Sequence, residues 1–299
     1  MTSIVPAQTV LPRRERRPRR SGALALFAGP PVLWLLLFVV VPYAGVLVFS
    51  FWKTNYVDLI PAFTWSNLHR VATDPVVRTV AFRSLWIALV VTAATFVISF
   101  PLAYLGAFHV KQKKLFVFLV IAPMWVSYIV RLYSWRLLLG SDGVINKALQ
   151  AVGLTSHPIG ALLFSSFAVI VTLTYVYMPF MFVSLFTTLE GLDRRTLRAA
   201  SDLYANPIRR FISVTLPLAK PGIAAGVMFV FPLTFGDYIA PNLVGGTSSQ
   251  MVANLIQNEF GVTFDWPFGA ALALGLLIVV MAVLWTLERW RNVEDVRVF

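Results

Sequence analysis

Six long apolar runs, separated by shorter polar stretches that are strongly basic at every second interval, restrict the fold of this 299-residue chain more than any other feature. The runs cover roughly 22–52, 80–108, 115–139, 159–189, 223–243 and 266–290. Each reaches the ~20 residues that a helix needs to cross a bilayer. Hydrocarbon offers no partner to a backbone N–H or C=O, so runs of this length have to fold as helices. Arg13, Arg14, Arg16, Arg17, Arg19 and Arg20 precede the first run, and Lys111, Lys113 and Lys114 sit between the second and third. Arg194, Arg195, Arg198, Arg209, Arg210 and Lys220 lie between the fourth and fifth, and Arg289, Arg291 and Arg297 close the chain. Thus 18 of the 25 Lys and Arg fall in alternate intervals, which places those intervals, and both termini, in the cytoplasm. The expectation is an all-α polytopic membrane protein. Residues 1–21 read as a disordered basic tail, 22–290 as a domain of six transmembrane helices, and 291–299 as a second tail. The first run is far longer than the roughly 7–15 apolar residues of a cleaved signal peptide, so it should remain as a span.

Hydrophobic residues make up 58% of the chain and charged ones 13%, against about 25% charged in a soluble domain. The formal charge of +12 does not point to nucleic acid, because it is spread over alternate intervals rather than gathered on one face. Cysteine is absent, and His69, His109 and His157 are scattered without metal-ligand spacing. No Gly-Lys-Ser/Thr phosphate loop occurs, and no convergent acid, base or metal set marks an enzyme. If ATP drives this protein, another chain hydrolyses it.

Apart from Arg83, Glu288 and Arg289 close to run ends, the charged residues within the runs are few: Arg131, Arg136 and Asp237. A charge at the bilayer centre costs at least ~2.5–3.5 kcal/mol, so each should pair or face water. Asp237 is the natural counter-charge for a cationic solute, with Trp125, Tyr128 and Tyr238 placed to add cation–π contacts. The same residues allow a structural pair of Asp237 with Arg131 or Arg136, and Arg131 beside a cation path would repel its cargo unless neutralised. Prolines recur at membrane depth, and the fourth run reads as interrupted at Pro179. Their freed backbone groups favour a cavity-lined transporter over an inert anchor. An ion-coupled secondary transporter is the alternative, but it calls for more buried carboxylates than one. Residues 142–154 read as an interfacial helix capped by Asp142 and closed by Gly153, its apolar face formed by Val144, Ile145, Ala148, Leu149 and Val152. In the sixth run Gly269, Ala273 and Ala271, Gly275 stand at the spacing that favours close helix packing.

The most polar interval, 190–222, reads as two short helices. Asp193 caps the first, Asn206 caps the second with Pro207 at its first position, and Pro217 and Pro221 end the unit. Ile208, Phe211, Ile212 and Leu216 should share one face. A basic helix pair projecting from a membrane protein suits docking to another protein.

Within it, Arg198-Ala199-Ala200, then Asp202-Leu203-Tyr204, then Val214-Thr215-Leu216-Pro217 resemble the EAA loop of ABC importer permeases. The family pattern is Glu-Ala-Ala, three residues, Gly, nine residues, Ile-x-Leu-Pro. The spacing matches throughout, with Arg198 in place of Glu and Tyr204 in place of Gly. Pro123 to Trp135, Gly143-Val-Ile-Asn146, Gly153-Leu154, Gly236 to Gly246, Asn254 and Asp265 to Ala271 resemble stretches of the spermidine/putrescine (polyamine) subfamily. The resemblance implies the type I (MetI-like) permease fold and residence in a bacterial cytoplasmic membrane. It also implies three partners: a cytoplasmic ABC ATPase dimer that holds ATP and magnesium, a second permease subunit forming a heterodimer, and an extracytoplasmic solute-binding protein. This chain would bind no cofactor. Arg198, Ala199, Ala200, Asp202, Leu203, Tyr204, Pro207 and Pro217 would then form the ATPase-coupling loop.

Overall fold

The computed structural model describes residues 21–55, 58–193, 195 and 206–292. The basic tail up to residue 20, the last seven residues and the loop positions Arg198, Ala199, Ala200, Asp202, Leu203 and Tyr204 lie outside them.

Among the described residues, those up to Gly45 form one unit and those from Val46 on a second. Helix α1 (Ser21–Leu35) runs through Pro30 and Pro31, turns once with π geometry over Leu36–Val40, and continues into α2 (Val41–Phe49). Every side chain from 27 to 44 is exposed. A helix that is apolar and exposed on all sides suits lipid rather than water.

In the second unit a three-residue hairpin, β1 (Lys53–Asn55) and β2 (Asp58–Ile60), pairs antiparallel and leads into α3 (Ser66–Thr73) and α4 (Pro75–Phe108). There follow α5 (Lys113–Ile121), α6 (Tyr128–Leu139), α7 (Val144–Ala151), α8 (Ser166–Glu190), a helical stretch over 207–218, α9 (Lys220–Phe235), α10 (Val252–Gly261) and α11 (Trp266–Asn292). Among the described residues four helices are long and apolar enough to cross a membrane: Phe27–Phe49, α4, α8 and Trp266–Trp290. Counting each of two bent pairs as one span brings the number to six. Lys113–Trp125 meets Tyr128–Ala151 at 89°, and Ile208–Leu218 meets Lys220–Phe235 at 64°.

Helix α8 is the centre of the bundle, with 61% of its most apolar window buried against 39% for α4 and 22% for the last span. Leu173, Met181, Phe182 and Leu185 on it are fully buried, and α4 and α9 contribute Ile87, Val91, Ala103 and Val230 to the same core. Some hydroxyls inside this layer are satisfied locally, whereas those of Thr172, Thr174 and Thr234 have no hydrogen-bond partner among the described residues. The Ser84, Thr92 and Thr95 hydroxyls donate to carbonyls of their own helix, removing the penalty of an unpaired group in an apolar layer.

Four local expectations change. Helix α4 starts at Pro75, with Asp74 accepting the Val76 N–H at 2.8 Å, so the preceding polar stretch is shorter and more structured than its composition implies. The fourth span passes through Pro179 unbroken. Asp142 does not cap α7; Gly143 does, because a Cβ there would sit 2.3 Å from the Leu138 carbonyl oxygen, and Asn146 does the polar work instead. Its buried amide donates to Gly140 O at 2.9 Å and accepts from Ile159 N at 2.8 Å. Gly153, at φ +77°, closes the helix as expected, with Leu154 N bonded to Leu149 O and Gly153 N to Gln150 O. In the 207–218 stretch the expected apolar face is divided. Ile208 and Ile212 are exposed while Phe211 rests edge-on against Phe100 at 5.2 Å, and the stretch runs past Pro217 to Leu218.

Candidate functional site

The fifth span stops where its sequence loses the means to continue. The Gly236 N–H closes on Pro232 O at 3.0 Å, and Gly236 itself leaves helical geometry. Five residues later Pro241 supplies no N–H to a π turn over Pro241–Gly245. Asp237 sits in that gap. Its Oδ1 accepts the Ile239 and Ala240 amides at 2.9 and 3.0 Å, as a capping carboxylate does for the free amides of a helix start.

The other oxygen, Oδ2, faces two different helices. The Tyr177 hydroxyl, from the middle of α8, donates to it at 2.8 Å and also lies 3.3 Å from Leu233 O. The Tyr128 hydroxyl, from the first residue of α6, donates to it as well. One carboxylate thus joins the break in the fifth span, the break in the third and the central helix. Asp237 is 6% exposed, so its four protein donors take the place of water.

The five residues expected along a substrate path are placed unequally. Asp237 and Tyr128 meet. Arg131 flanks them, its guanidinium 5.9 Å from the Tyr128 ring centre and its Nη1 3.4 Å from Val176 O, while its buried Nε has no partner. Among the described residues no ion pair links Asp237 to Arg131 or Arg136, and Arg136 lies over the Phe164 ring at 5.6 Å. Trp125 is 72% exposed and packs edge-on against Phe118 at 5.0 Å. Tyr238 is partly exposed and joins the site through its backbone, its carbonyl accepting from the buried Asn254 amide at 2.7 Å. Asn254 also accepts the Met251 N–H at 2.9 Å, and Ser84 Oγ accepts that of Val252 at 2.8 Å. Helix α10 is therefore stitched to the break and to α4. Sequence reasoning missed Tyr177 because it sought a charged partner for Asp237. A phenol in an apolar run carries no charge to mark it.

At the far end of α8, Asp193 accepts the Arg195 N–H at 2.8 Å, and Asn206 accepts the Ile208 N–H at 2.9 Å, the cap expected for the second short helix; the first lies outside the described residues. Pro207 opens the second short helix, and Pro217 lies in its last turn.

No protein-family model matches the chain. The spermidine/putrescine transport system permease protein PotB of Haemophilus influenzae is 34% identical over 261 residues, covering 86% of this chain and 90% of that one. The Escherichia coli protein of the same name is 34% identical over 264 residues, covering 87% and 95%. The chain belongs to the ABC importer permeases of the spermidine/putrescine type. Another Escherichia coli relative, the inner membrane ABC transporter permease protein YdcU, is 34% identical over 286 residues, covering 90% of this chain and 89% of its own. Such permeases are transport subunits, not enzymes, and this one is a multi-pass membrane protein. Two crystal structures of a bacterial alginate ABC transporter share its fold. One covers 92% of this chain at a TM-score of 0.69 and 14% identity. The other, in complex with an alginate pentasaccharide-bound periplasmic protein, also covers 92%, at 0.73 and 13%.

Proposed function

We propose that this permease carries a small cationic, amine-bearing solute of the polyamine class inward, with Asp237 lining the route. The observation that carries the reading is a buried carboxylate at the junction of two broken spans, held on one side by neutral phenols rather than by a fixed cation. A carboxylate locked to arginine would have no charge left for a cargo. One held by Tyr128 and Tyr177 can exchange a neutral donor, the Tyr128 hydroxyl, for an N–H group of an ammonium, a stronger charge-assisted pairing. The relatives named for spermidine and putrescine support the same substrate class. In the conformation described the carboxylate is closed off, so entry of cargo requires the Tyr128 hydroxyl to leave Oδ2. Exposed Trp125 then supplies an aromatic face on which a cation can rest.

ATP and magnesium belong to a partner ATPase dimer in this reading, and residues 193–217 dock into it. A second permease subunit completes the path, and an extracytoplasmic binding protein delivers the cargo. Both termini face the cytoplasm of a bacterial inner membrane, as the distribution of arginine supports.

Uptake of labelled putrescine and spermidine by cells expressing the complete system tests the proposal. Asp237→Asn should weaken apparent affinity about tenfold to a hundredfold, the equivalent of one charged hydrogen bond, at unchanged membrane level. If Asp237→Asn instead abolishes assembly, and Arg131→Leu in the same chain restores it, the carboxylate is structural and the substrate contact lies elsewhere.

A further inference from the structure

The segment read as the ATPase dock is fastened where it leaves the bundle. Lys113 Nζ lies 3.1 Å from Glu190 Oε1, joining the first residue of α5 to the last residue of α8. Both charges stand at the wrong ends of their helices. A helix C-terminus carries partial negative charge and disfavours Glu190, and an N-terminus carries partial positive charge and disfavours Lys113. Neither residue is explained by capping its own helix; each answers the other. The side chains are 29% and 44% exposed, so the pair adds little to stability. What it supplies is a connection between two elements that are 77 residues apart.

Helix α5 is in turn held firmly. The Phe116 ring fills the space above Gly106, where a Cβ would approach it to 2.7 Å, and lies 6.1 Å from the Phe182 ring. Beyond α5 the chain makes one tight turn over Ala122–Trp125, breaks, and resumes at Tyr128, whose hydroxyl holds Asp237. A continuous mechanical route therefore runs from Glu190 through Lys113 and α5 to the break and the Tyr128–Asp237 bond.

We propose that the Lys113–Glu190 pair is a positioning contact, through which movement of the 190–222 segment is passed to α5 and so to the Tyr128 hydroxyl on Asp237. The proposal rests on reading 190–222 as the ATPase dock. Its test uses the whole reconstituted complex and reads two quantities together: ATP hydrolysed and solute transported. Lys113→Glu and Glu190→Lys, which set like charges face to face, should each lower solute moved per ATP about two- to fivefold while ATPase binding persists. The double swap, which restores the pair with reversed sign, should recover the ratio. Should a reversed charge reduce the amount of complex, the neutral Lys113→Gln and Glu190→Gln must show the same loss per ATP. A ratio unmoved by the single changes, or not recovered by the swap, overturns the proposal while leaving the dock intact. Ala200→Asp separates the two claims: if ATPase binding and transport both survive it, the docking reading itself fails.

Discussion

Tyr128 and Tyr177 donate to the same oxygen of Asp237 but stand in different surroundings, and their roles should separate accordingly. Tyr177 is 8% exposed in the middle of α8, where its ring is part of the core. Tyr128 opens α6 beside a break in the chain. Phenylalanine keeps either ring, and with it any cation–π contact, while removing the hydroxyl. Tyr177→Phe should therefore lower thermal stability in detergent by about 1–3 kcal/mol, the cost of an unmade buried hydrogen bond, with little change in the uptake KM. Tyr128→Phe removes a donor that competes with the cargo, so its uptake KM should fall. The opposite assignment, with Tyr177→Phe changing KM and Tyr128→Phe only stability, would place the moving partner on α8. At this scale the sequence was half legible. Asp237 stood out as a carboxylate deep inside an apolar run, and Asn206 and Asp193 as capping acceptors. Tyr177 did not stand out, and the absence of an arginine pair rests on distances that no spacing along the chain reveals.

The helices themselves were legible from apolar runs of membrane length, but their breaks were not. Pro123 and Pro179 have the same chemistry and opposite outcomes. At Pro179, α8 lies between α4 and α9 with Val176, Met181 and Phe182 buried around it, so packing holds the helix through one lost bond. At Pro123 no residue of the turn is buried, and the chain yields. The fifth span breaks at Gly236 rather than at Pro232, since Asp237 captures the next two amides. Close approach between elements gives a comparison that separates backbone from side-chain obstacles. A Cβ at Gly143 would meet the Leu137 and Leu138 carbonyl oxygens at 2.4 and 2.3 Å, and neither can move without the end of α6. At Gly226 the obstacle at 2.3 Å is the sulfur of Met181, the far part of a flexible side chain. Gly143→Ala should therefore cost about 1–3 kcal/mol, whereas Gly226→Ala should cost clearly less. Melting curves of the two purified variants check the order, and equal losses would contradict it.

For the whole molecule, the family and the count of spans followed from patterns spread over the chain: basic charge in alternate intervals, and stretches resembling polyamine permeases between residues 115 and 275. Partnership is a claim of the same scale. With no phosphate loop in the chain and a strongly basic polar interval at 190–222, the permease should co-purify with an ATPase subunit, and Ala200→Asp should release it or uncouple it. The central claim, that a buried carboxylate at two broken spans conducts an amine-bearing solute under ATP power, is tested most directly in proteoliposomes. These would contain the permease with its ATPase, its second permease subunit and its binding protein. The account predicts ATP-dependent accumulation of putrescine or spermidine that unlabelled polyamine suppresses, an acidic solute of similar size does not, and Asp237→Asn largely removes. Accumulation of the acidic solute in preference to the polyamines, undiminished in Asp237→Asn, would contradict it.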